Sequence, residues 1–262
     1  MKVIVCVKQV PDTNEVRIDP VKGTLIRDGV PSILNPDDKN ALEEALKLKD
    51  NRQDVHITVI TMGPPQADEV LRECLAMGAD EAILLSDRAF AGADTWATSN
   101  TLAAAVKKIG DYDIIFAGRQ AIDGDTAQVG PQLAERLGIS QVTYVQHFEV
   151  KDDHIVVQRA LEDGYEVIKV QKPVLLTAIK ELNHPRYMSV QGIYDAFREK
   201  DVKVWTLADL AVNKNDVGLE ASPTQVKRSF TPEQKGKGVM LKGTTKDMVE
   251  QLVASLKQKH VI

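Results

Sequence analysis

The stretch DIIFAGRQAIDGDTAQVGPQLAERLG, residues 113–138, shows most directly which fold this chain adopts. Its first five residues, Asp113–Ala117, include an apolar run without alternation, which is typical of a strand buried on both faces of a parallel sheet. A loop rich in glycine and aspartate follows, and an amphipathic helix over Gln128–Leu137 then ends at Gly138. The stretch therefore predicts a strand–loop–helix unit whose loop lies outside the carboxyl end of a sheet strand.

The chain before this stretch repeats the same alternation of strand and helix. Strands are predicted at Val3–Val7, His56–Met62 and Glu81–Leu85, and helices at Asp37–Asp50, Gln66–Met77 and Thr95–Ile109. Strands alternating with helices of about a dozen residues favour right-handed crossovers. The sequence thus predicts an α/β fold with a doubly wound, mostly parallel, Rossmann-like sheet.

From Val142 onward the pattern changes to strands with little helix between them. The strand-like runs are TYVQHFEV, HIVVQRAL, YEVIKV and PVLLTAI, which predict an antiparallel extension of the sheet. Near the start of the chain, VRID and TLIR flank the turn-rich PVKG and predict a small hairpin outside the main sheet. Beyond about Asn183 the chain is predicted to be irregular.

The last 60 or so residues predict an arm rather than part of the core. Residues 213–238 are polar and rich in helix and strand breakers, and a helix at about Lys246–Gln258 follows them. Its apolar stripe consists of Met248, Val249, Leu252, Val253 and Leu256. We expect residues 1–200 to form the nucleotide-binding domain and residues 201–262 to embrace another subunit, the alternative being a tail folded back on its own domain.

Composition excludes several classes of function. The chain of 262 residues is 43% hydrophobic and 27% charged with a net charge of −5, which gives no reason to expect nucleic acid as a partner. No stretch approaches the ~20 apolar residues of a membrane span, and the run Val3–Val7 is too short for a signal peptide. Cys6 and Cys74 lack metal-ligand spacing and the histidines are scattered, so we expect a cytoplasmic protein with no metal site and no catalytic residues of its own.

The loop at 118–128 has two interpretations from its residues alone. Its glycines, together with Gly130, permit close backbone approach or positive φ, and Thr126 offers a hydroxyl near a helix N-terminus, which together suit a phosphate group. The alternative is a simple capped helix with Asp125 or Thr126 as the N-cap. Asp123 and Asp125 repel a bare anion, and they suit the capped helix or a contact with ribose hydroxyls.

Three segments resemble one known family. GRQAIDGDTAQVGP, from Gly118, resembles the adenine-nucleotide loop of electron-transfer flavoprotein beta subunits. VQRALEDGYEVIKVQKPVLLT (157–177) resembles the signature of those subunits, and ELNHPRYMSVQGI (181–193) resembles the LNxPRY segment that follows it. VKQVPDT (7–13), NPDD (35–38) and LAMGAD (75–80) extend the similarity over nearly the whole chain. The signature positions are Arg159, Glu162, Asp163, Gly164, Glu166, Pro173 and Thr177.

The resemblance implies a nucleotide site formed by the first strand, the NP loop, the end of the second long strand and the QAID loop. Its residues would be Cys6, Asn35, Pro36, Asp37, Asp38, Thr61, Gly118, Arg119, Gln120, Ala121, Ile122, Asp123, Gly124, Asp125, Thr126, Ala127 and Gln128. Without the resemblance, Cys6 is equally well a core thiol and Asn35 a helix-entry turn.

The resemblance also implies partners. A beta subunit forms a heterodimer with an alpha subunit that holds its own FAD, and a loop at about 183–200 recognises a dehydrogenase such as an acyl-CoA dehydrogenase. Pro185, Arg186 and Tyr187 belong to that loop, and Val190 matches its apolar anchor. Many relatives have a lysine-rich run next, whereas this chain has GIYDAFREKD, so the sequence does not indicate which dehydrogenase is served.

The nucleotide in the site has two possible identities. Ordinary family members hold AMP, whereas bifurcating members hold a second FAD, take two electrons from NADH, and deliver one to ferredoxin or flavodoxin. The NPDDKNALEEAL stretch at 35–46 and Gly124, where many AMP-type members have an acid, favour FAD. Other classes with a similar sheet are universal-stress-type sensors, which do not explain the 157–177 signature, and adenylating enzymes, whose SGGxDS-type loop is absent from the sequence.

Overall fold

The computed structural model describes residues 1–12, 31–151, 153–227, 236 and 238–262. The described residues up to Lys227 form one compact unit, and those from Gly236 onward belong to a second. The predicted VRID–TLIR hairpin lies outside the described residues. Among the described residues, no helix is both long and apolar enough to cross a membrane.

The first unit is built on a nine-stranded sheet. The strands in chain order are β1 (Lys2–Cys6), β2 (Gln9–Pro11), β3 (Ser32–Leu34), β4 (His56–Met62), β5 (Glu81–Leu85), β6 (Ile114–Gly118), β7 (Ser140–Val150), β8 (Ile155–Ala160), β9 (Tyr165–Val170), β10 (Val174–Ala178) and β11 (Val202–Trp205). Their order across the sheet is β11-β5-β4-β1-β6-β10-β7-β8-β9, and β2 and β3 form a separate antiparallel pair.

The strands from β11 to β7 are parallel, and β8 and β9 continue the sheet as an antiparallel extension. The predicted doubly wound fold is confirmed. The assignment of PVLLTAI to the extension was wrong, because β10 lies between β6 and β7 and runs parallel to both. All five residues of β10 are buried, as expected for a central parallel strand.

Helices cover both faces of this sheet. They are α1 (Pro36–Asn51), α2 (Asp68–Met77), α3 (Thr95–Ile109), α4 (Val129–Leu137) and α5 (Val190–Arg198), and the second unit contains α6 (Thr245–Gln258). Alternate residues of β1 face opposite cores: Val3 and Val5 pack with α1 and α2, whereas Ile4 and Cys6 pack with α3 and α4. Each fully buried aliphatic side chain stabilises the fold by roughly 1.5–3 kcal/mol.

The order of the strands places a crevice at the carboxyl ends of β1 and β6. The chain runs from β1 to β4 and β5 on one side, and then crosses over through α3 to β6 on the other side of β1. This reversal is the topological switch point at which open α/β sheets bind ligands. The loop at 118–128 begins at the end of β6 and therefore borders that crevice.

The region after Asn183 is more regular than the sequence predicted. It contains α5 and then β11, which pairs with β5 in register from Val202 opposite Ala82 to Trp205 opposite Leu85. Leu210 and Val217 are buried in the core beneath α3. The first folded unit therefore extends to Lys227. That residues 1–200 bind the nucleotide and residues 201–262 bind another subunit remains a prediction.

Candidate nucleotide site

Three predicted site residues lie at the ends of neighbouring strands. Cys6 ends β1, Gly118 ends β6, and Thr61 is the penultimate residue of β4. Cys6 lies opposite Ala117 in the β1–β6 register and opposite Ile60 in the β1–β4 register. The sheet thus brings together residues that are more than 50 positions apart in sequence.

The buried side chain of Asn35 holds the backbone of the loop at 118–128 in place. It is fully buried and is the N-cap residue of α1, but its side chain makes no cap hydrogen bond. Instead its Nδ2 donates to the carbonyl of Gln120 (2.9 Å), and its Oδ1 accepts from the backbone N–H of Ile122 (3.1 Å). Asn35 is therefore both a helix-entry residue and the support of the predicted nucleotide loop.

Asp38 joins the ends of β1 and β6. One carboxylate oxygen accepts the backbone N–H of Gly118 (2.9 Å), and the other accepts the backbone N–H of Lys8 (2.8 Å). Burial raises the pKa of Asp38 to about 7, against the lowering effect of these hydrogen bonds. With both oxygens engaged, Asp38 acts on the loop by positioning its first residue.

Replacing Asp38 by asparagine should change how stability depends on pH. The pKa of Asp38 in the folded chain, about 7, is raised above the value of 3.8 for an unperturbed aspartate. The folded state therefore binds more protons between these values, and its stability falls as the pH rises through the window, by up to about 1.4 kcal/mol per pH unit. We expect Asp38→Asn to abolish this slope in urea unfolding measured from about pH 4 to about pH 8.

Asp87→Asn is the matched control for this measurement. Asp87 also accepts two backbone N–H groups, from Ala89 and Leu207, and these hydrogen bonds lower its pKa. Its stabilising contribution is present above the unfolded pKa and is lost as the pH falls, so the sign is opposite to that of Asp38. If the free energy of unfolding has the same pH dependence in the wild type and in Asp38→Asn, Asp38 is not a buried group that titrates in this window.

The glycines of this region have different roles. A Cβ on Gly118 would lie 2.3 Å from Oδ1 of Asp38, and one on Gly130 would lie 2.8 Å from Cγ2 of Thr177, so both glycines permit close packing. A Cβ on Gly124 would meet nothing within 4 Å. The positive φ values that the sequence suggested for glycines occur instead at Asp125 (49°) and Ala127 (51°).

The charged groups of the loop are paired with neighbouring side chains. Lys8 Nζ donates to both carboxylate oxygens of Asp123, at 2.7 and 2.9 Å. Gln120 Nε2 donates to Asp125 at 2.7 Å. These contacts reduce the repulsion that the two acids would exert on an anion.

The start of α4 has no side-chain cap. Its N-cap residue is Gln128, whose side chain accepts a hydrogen bond from the Thr95 hydroxyl (3.0 Å) and makes no cap hydrogen bond. The alternative interpretation, a helix with Asp125 or Thr126 as its N-cap, is therefore wrong. An uncapped helix N-terminus carries partial positive charge and is a favourable position for an anion.

Two buried polar atoms at this edge of the sheet support a ligand site. Thr61 Oγ1 and Arg119 Nε are buried and have no hydrogen-bond partner among the described residues. Arg119 Nε lies 3.4 Å from a carboxylate oxygen of Asp37, a separation of charged groups without hydrogen-bond geometry. Together with the strained backbone at Asp125 and Ala127 and the uncapped helix, these atoms fit a nucleotide that supplies the missing partners.

Cys6 is buried beside this site. Desolvation, with a smaller contribution from the nearby charge of Asp38, raises the pKa of its thiol to about 12. The thiol is therefore protonated and unreactive at neutral pH. Cys6 is a core residue at the end of β1, and its contact with a nucleotide remains a prediction.

The predicted partner segment divides into a held part and an exposed part. Arg186 bonds to Glu43 and Asp50 of α1. Tyr187 and Val190 are 97% and 87% exposed. Val190 is the first residue of α5, so the predicted recognition loop ends in a short helix.

Three of the seven signature residues at 157–177 make contacts within the sheet. Arg159 and Glu166 face each other across β8 and β9 with charged atoms 3.6 Å apart. The buried hydroxyl of Thr177 accepts the backbone N–H of Tyr144 (3.0 Å) where the β7–β10 register shifts.

Sequence reasoning did not assign two residues that contact the loop. Lys8 could have been suggested by its opposite charge to Asp123, whereas nothing in the pattern indicated that Thr95 contacts Gln128.

Comparisons with known proteins identify the family of the chain. The family model described as electron transfer flavoprotein domain matches residues 22–210. The electron transfer flavoprotein subunit beta of Clostridium acetobutylicum is 64% identical over 262 residues, the full length of both chains. The caffeyl-CoA reductase-Etf complex subunit CarD of Acetobacterium woodii is 61% identical over 263 residues, again over both full lengths.

A more distant relative extends the comparison. The acryloyl-CoA reductase electron transfer subunit gamma of Anaerotignum propionicum is 50% identical over 270 residues and covers all of both chains. This agreement confirms the predicted resemblance to electron-transfer flavoprotein beta subunits, and leaves the universal-stress and adenylating alternatives without support. The chain belongs to the electron transfer flavoprotein family, as a beta subunit.

Proposed function

We propose that this beta subunit binds FAD at the crevice between β1 and β6 and takes part in electron bifurcation from NADH, in the cytoplasm, as a heterodimer with an alpha subunit. The observation that carries the proposal is Gly124, which lies on the exposed loop with open space where a side chain would be. When bound, FAD supplies the redox chemistry, accepting two electrons from NADH and releasing one to ferredoxin or flavodoxin and one toward the alpha-subunit FAD.

The residues of the chain bind and orient the nucleotide. The uncapped N-terminus of α4 faces the loop and favours a phosphate group, and the exposed Thr126 has a hydroxyl that can donate to it. Arg119 adds a positive charge, and Thr61 a buried hydroxyl. Asn35 and Asp38 hold the loop in place without offering free polar atoms of their own.

The acids in the loop are the main objection to a dinucleotide, since FAD brings a second phosphate. Two like charges ~4 Å apart repel by about 4 kcal/mol at intermediate dielectric. Lys8 neutralises Asp123 at 2.7 Å, and an acid at position 124 would add a charge that glycine does not. These features support FAD over AMP, which is the alternative occupant.

The electrons that reach the alpha subunit are proposed to pass to an acyl-CoA or related dehydrogenase. Two of the relatives are named as subunits of caffeyl-CoA and acryloyl-CoA reductase complexes, which act on CoA thioesters. By analogy, the surface formed by the exposed Tyr187 and Val190 with the half-buried Pro185 would bind such a dehydrogenase.

The identity of the nucleotide is tested by denaturing the purified heterodimer and quantifying what is released. We expect two FAD and no AMP per heterodimer, with NADH bleaching both flavins. One FAD and one AMP would refute the proposal in favour of the AMP-holding alternative. Failure of NADH to bleach either flavin would refute the NADH step, and bleaching of only one flavin would refute electron transfer between the two.

Val190→Asp should weaken docking of the dehydrogenase. Val190 is 87% exposed, so the substitution does not disturb the core. Since a central apolar anchor is often a binding hot spot, we expect the KM for a purified acyl-CoA dehydrogenase partner to rise about tenfold or more, with flavin content and NADH-dependent flavin reduction unchanged. Val226→Asp, at another exposed valine, is the control. Loss of flavin in Val190→Asp would mean that this segment is structural.

A further inference from the structure

The middle of α1 carries three buried polar residues that the nucleotide site does not use. Asn40, Glu43 and Glu44 are only 4–5% exposed. Burying a carboxylate is costly unless it is paired and hydrogen-bonded. All three residues have hydrogen-bond partners in the segment from Asn183 to Arg186, which directly precedes the exposed docking surface.

Asn183 is held by a reciprocal pair of hydrogen bonds. Asn40 Nδ2 donates to the backbone carbonyl of Asn183 (2.9 Å), and Asn183 Nδ2 donates back to the carbonyl of Asn40 (3.0 Å). The same Asn183 amide donates to a carboxylate oxygen of Glu44 (2.9 Å). The backbone of this residue is therefore fixed against the helix.

Arg186 is held more strongly. Its Nε and Nη2 donate to the two carboxylate oxygens of Glu43, each at 2.9 Å, and its backbone N–H donates to Glu43 at 3.0 Å. Nη2 also donates to Asp50 at 2.6 Å. Hydrogen bonds to Glu43 and Asp50 raise the pKa of Arg186 above its usual range. A bidentate pair of this kind fixes orientation as well as position.

The other side of the docking surface is also anchored. Ser189 caps α5 by accepting the backbone N–H of Gly192 (2.9 Å). α5 packs tightly on α2, because a Cβ on Gly192 would lie 2.2 Å from the carbonyl oxygen of Ala76. Tyr187 and Val190 are thus exposed between two fixed points, Arg186 and Gly192.

We propose that Asn40, Glu43 and Glu44 form a clamp that presets the segment 183–190 for the dehydrogenase, which makes Glu43 a positioning residue for partner affinity. The inference rests on the docking role proposed above. A segment that is ordered before binding loses less conformational entropy when the partner docks. The clamp acts before the complex forms, so it should change KM for the partner and leave kcat unchanged.

The test compares Glu43→Gln with Glu73→Gln in the intact heterodimer. The amide of glutamine places N–H donors against the Arg186 guanidinium and breaks the bidentate pair. Glu73 of α2 pairs with Lys39 of α1 at 2.6 Å and has no hydrogen bond or ion pair to the segment 183–190. Glu73→Gln therefore removes an ion pair to α1 without removing a bond to the segment. Arg186→Lys, which keeps the charge and loses the fork, is a second disruption of the clamp.

Amide hydrogen exchange of peptides spanning 183–190 and steady-state kinetics with the acyl-CoA dehydrogenase are measured together. In Glu43→Gln and Arg186→Lys we expect about tenfold faster exchange and a several-fold higher KM, with kcat and nucleotide content unchanged. Glu73→Gln should change neither quantity. Unchanged exchange in both clamp variants would overturn the inference. Faster exchange with an unchanged KM would overturn the positioning role of Glu43, whereas failure of the docking role itself is shown separately by an unchanged KM in Val190→Asp.

Discussion

Gly118→Ala should both destabilise the first unit and release the nucleotide. The added Cβ would lie 2.3 Å from Oδ1 of Asp38, 2.7 Å from its backbone nitrogen and 2.8 Å from the carbonyl carbon of Asp37. Two of these atoms belong to the backbone at the start of α1, so no side-chain rotation relieves the clash. We expect a loss of about 3 kcal/mol in the free energy of unfolding, because overpacking is combined with a weakened Asp38 hydrogen bond.

Gly124→Ala is the matched control within the same loop. Its Cβ would meet nothing within 4 Å, and its φ is not in the left-handed region. This variant should unfold at the same urea concentration as the wild type, with any loss of nucleotide arising from contact with the ligand alone. Measurement of unfolding and of retained nucleotide after dialysis separates the two effects. A Gly118→Ala protein with wild-type stability and full nucleotide content would contradict the packing described for β6 and α1.

The two glycines show what the sequence could and could not reveal about the site. The order strand, glycine-rich loop and helix was enough to predict the loop and the edge of the sheet at which it lies. The role of each glycine depends on what stands opposite it in the fold. Gly118 is opposite Asp38 of α1, which lies 80 residues earlier, whereas Gly124 has open space. Lys8 was missed for the same reason, since its contact with Asp123 exists only because β1 and β6 are neighbours.

The fold was predictable where the hydrophobic pattern reports burial directly. The alternating strands and helices up to Gly138 predicted the doubly wound half of the sheet. The run VLLTA of β10 is mostly apolar without alternation, as in β6, which is typical of a strand buried on both faces. The misplacement of β10 came from its position after two consecutive hairpin strands. α5 was missed although Val190, Ile193, Tyr194 and Phe197 follow helical spacing in the sequence. The four side chains of this apolar stripe are exposed, and only Ala196 of the helix is buried.

The described part of the second unit contains a well-formed helix whose residues are not buried. The start of α6 has a capping box, in which Thr244 and Asp247 satisfy each other's backbone N–H groups (3.3 and 2.9 Å). No residue of α6 is buried, and Val249, Leu252 and Val253 are 54%, 47% and 37% exposed. An isolated helix of this length is marginal in water, so an apolar stripe of this kind needs a surface to pack on.

Removing residues 228–262 should abolish stable association with the alpha subunit. The cut is placed after Lys227 because β11 and the buried Leu210 and Val217 belong to the first unit, so a shorter chain would also lose core contacts. Burying four aliphatic side chains of α6 on a partner would contribute about 6 kcal/mol, which corresponds to a change in Kd on the order of ten-thousand-fold. Co-purification with a tagged alpha subunit measures the loss.

Two single substitutions decide whether the stripe itself makes the contact. Leu252→Glu places a charge in the centre of the stripe and should weaken association by about a hundredfold, since a buried unpaired carboxylate replaces an apolar contact. Ala254→Glu adds the same charge on the opposite face of α6 and should leave association unchanged. A chain ending at Lys227 that still co-purifies in equal amounts with the alpha subunit would refute the arm. Equal losses in the two glutamate variants would mean that helix stability, and not the apolar face, explains the effect of the deletion.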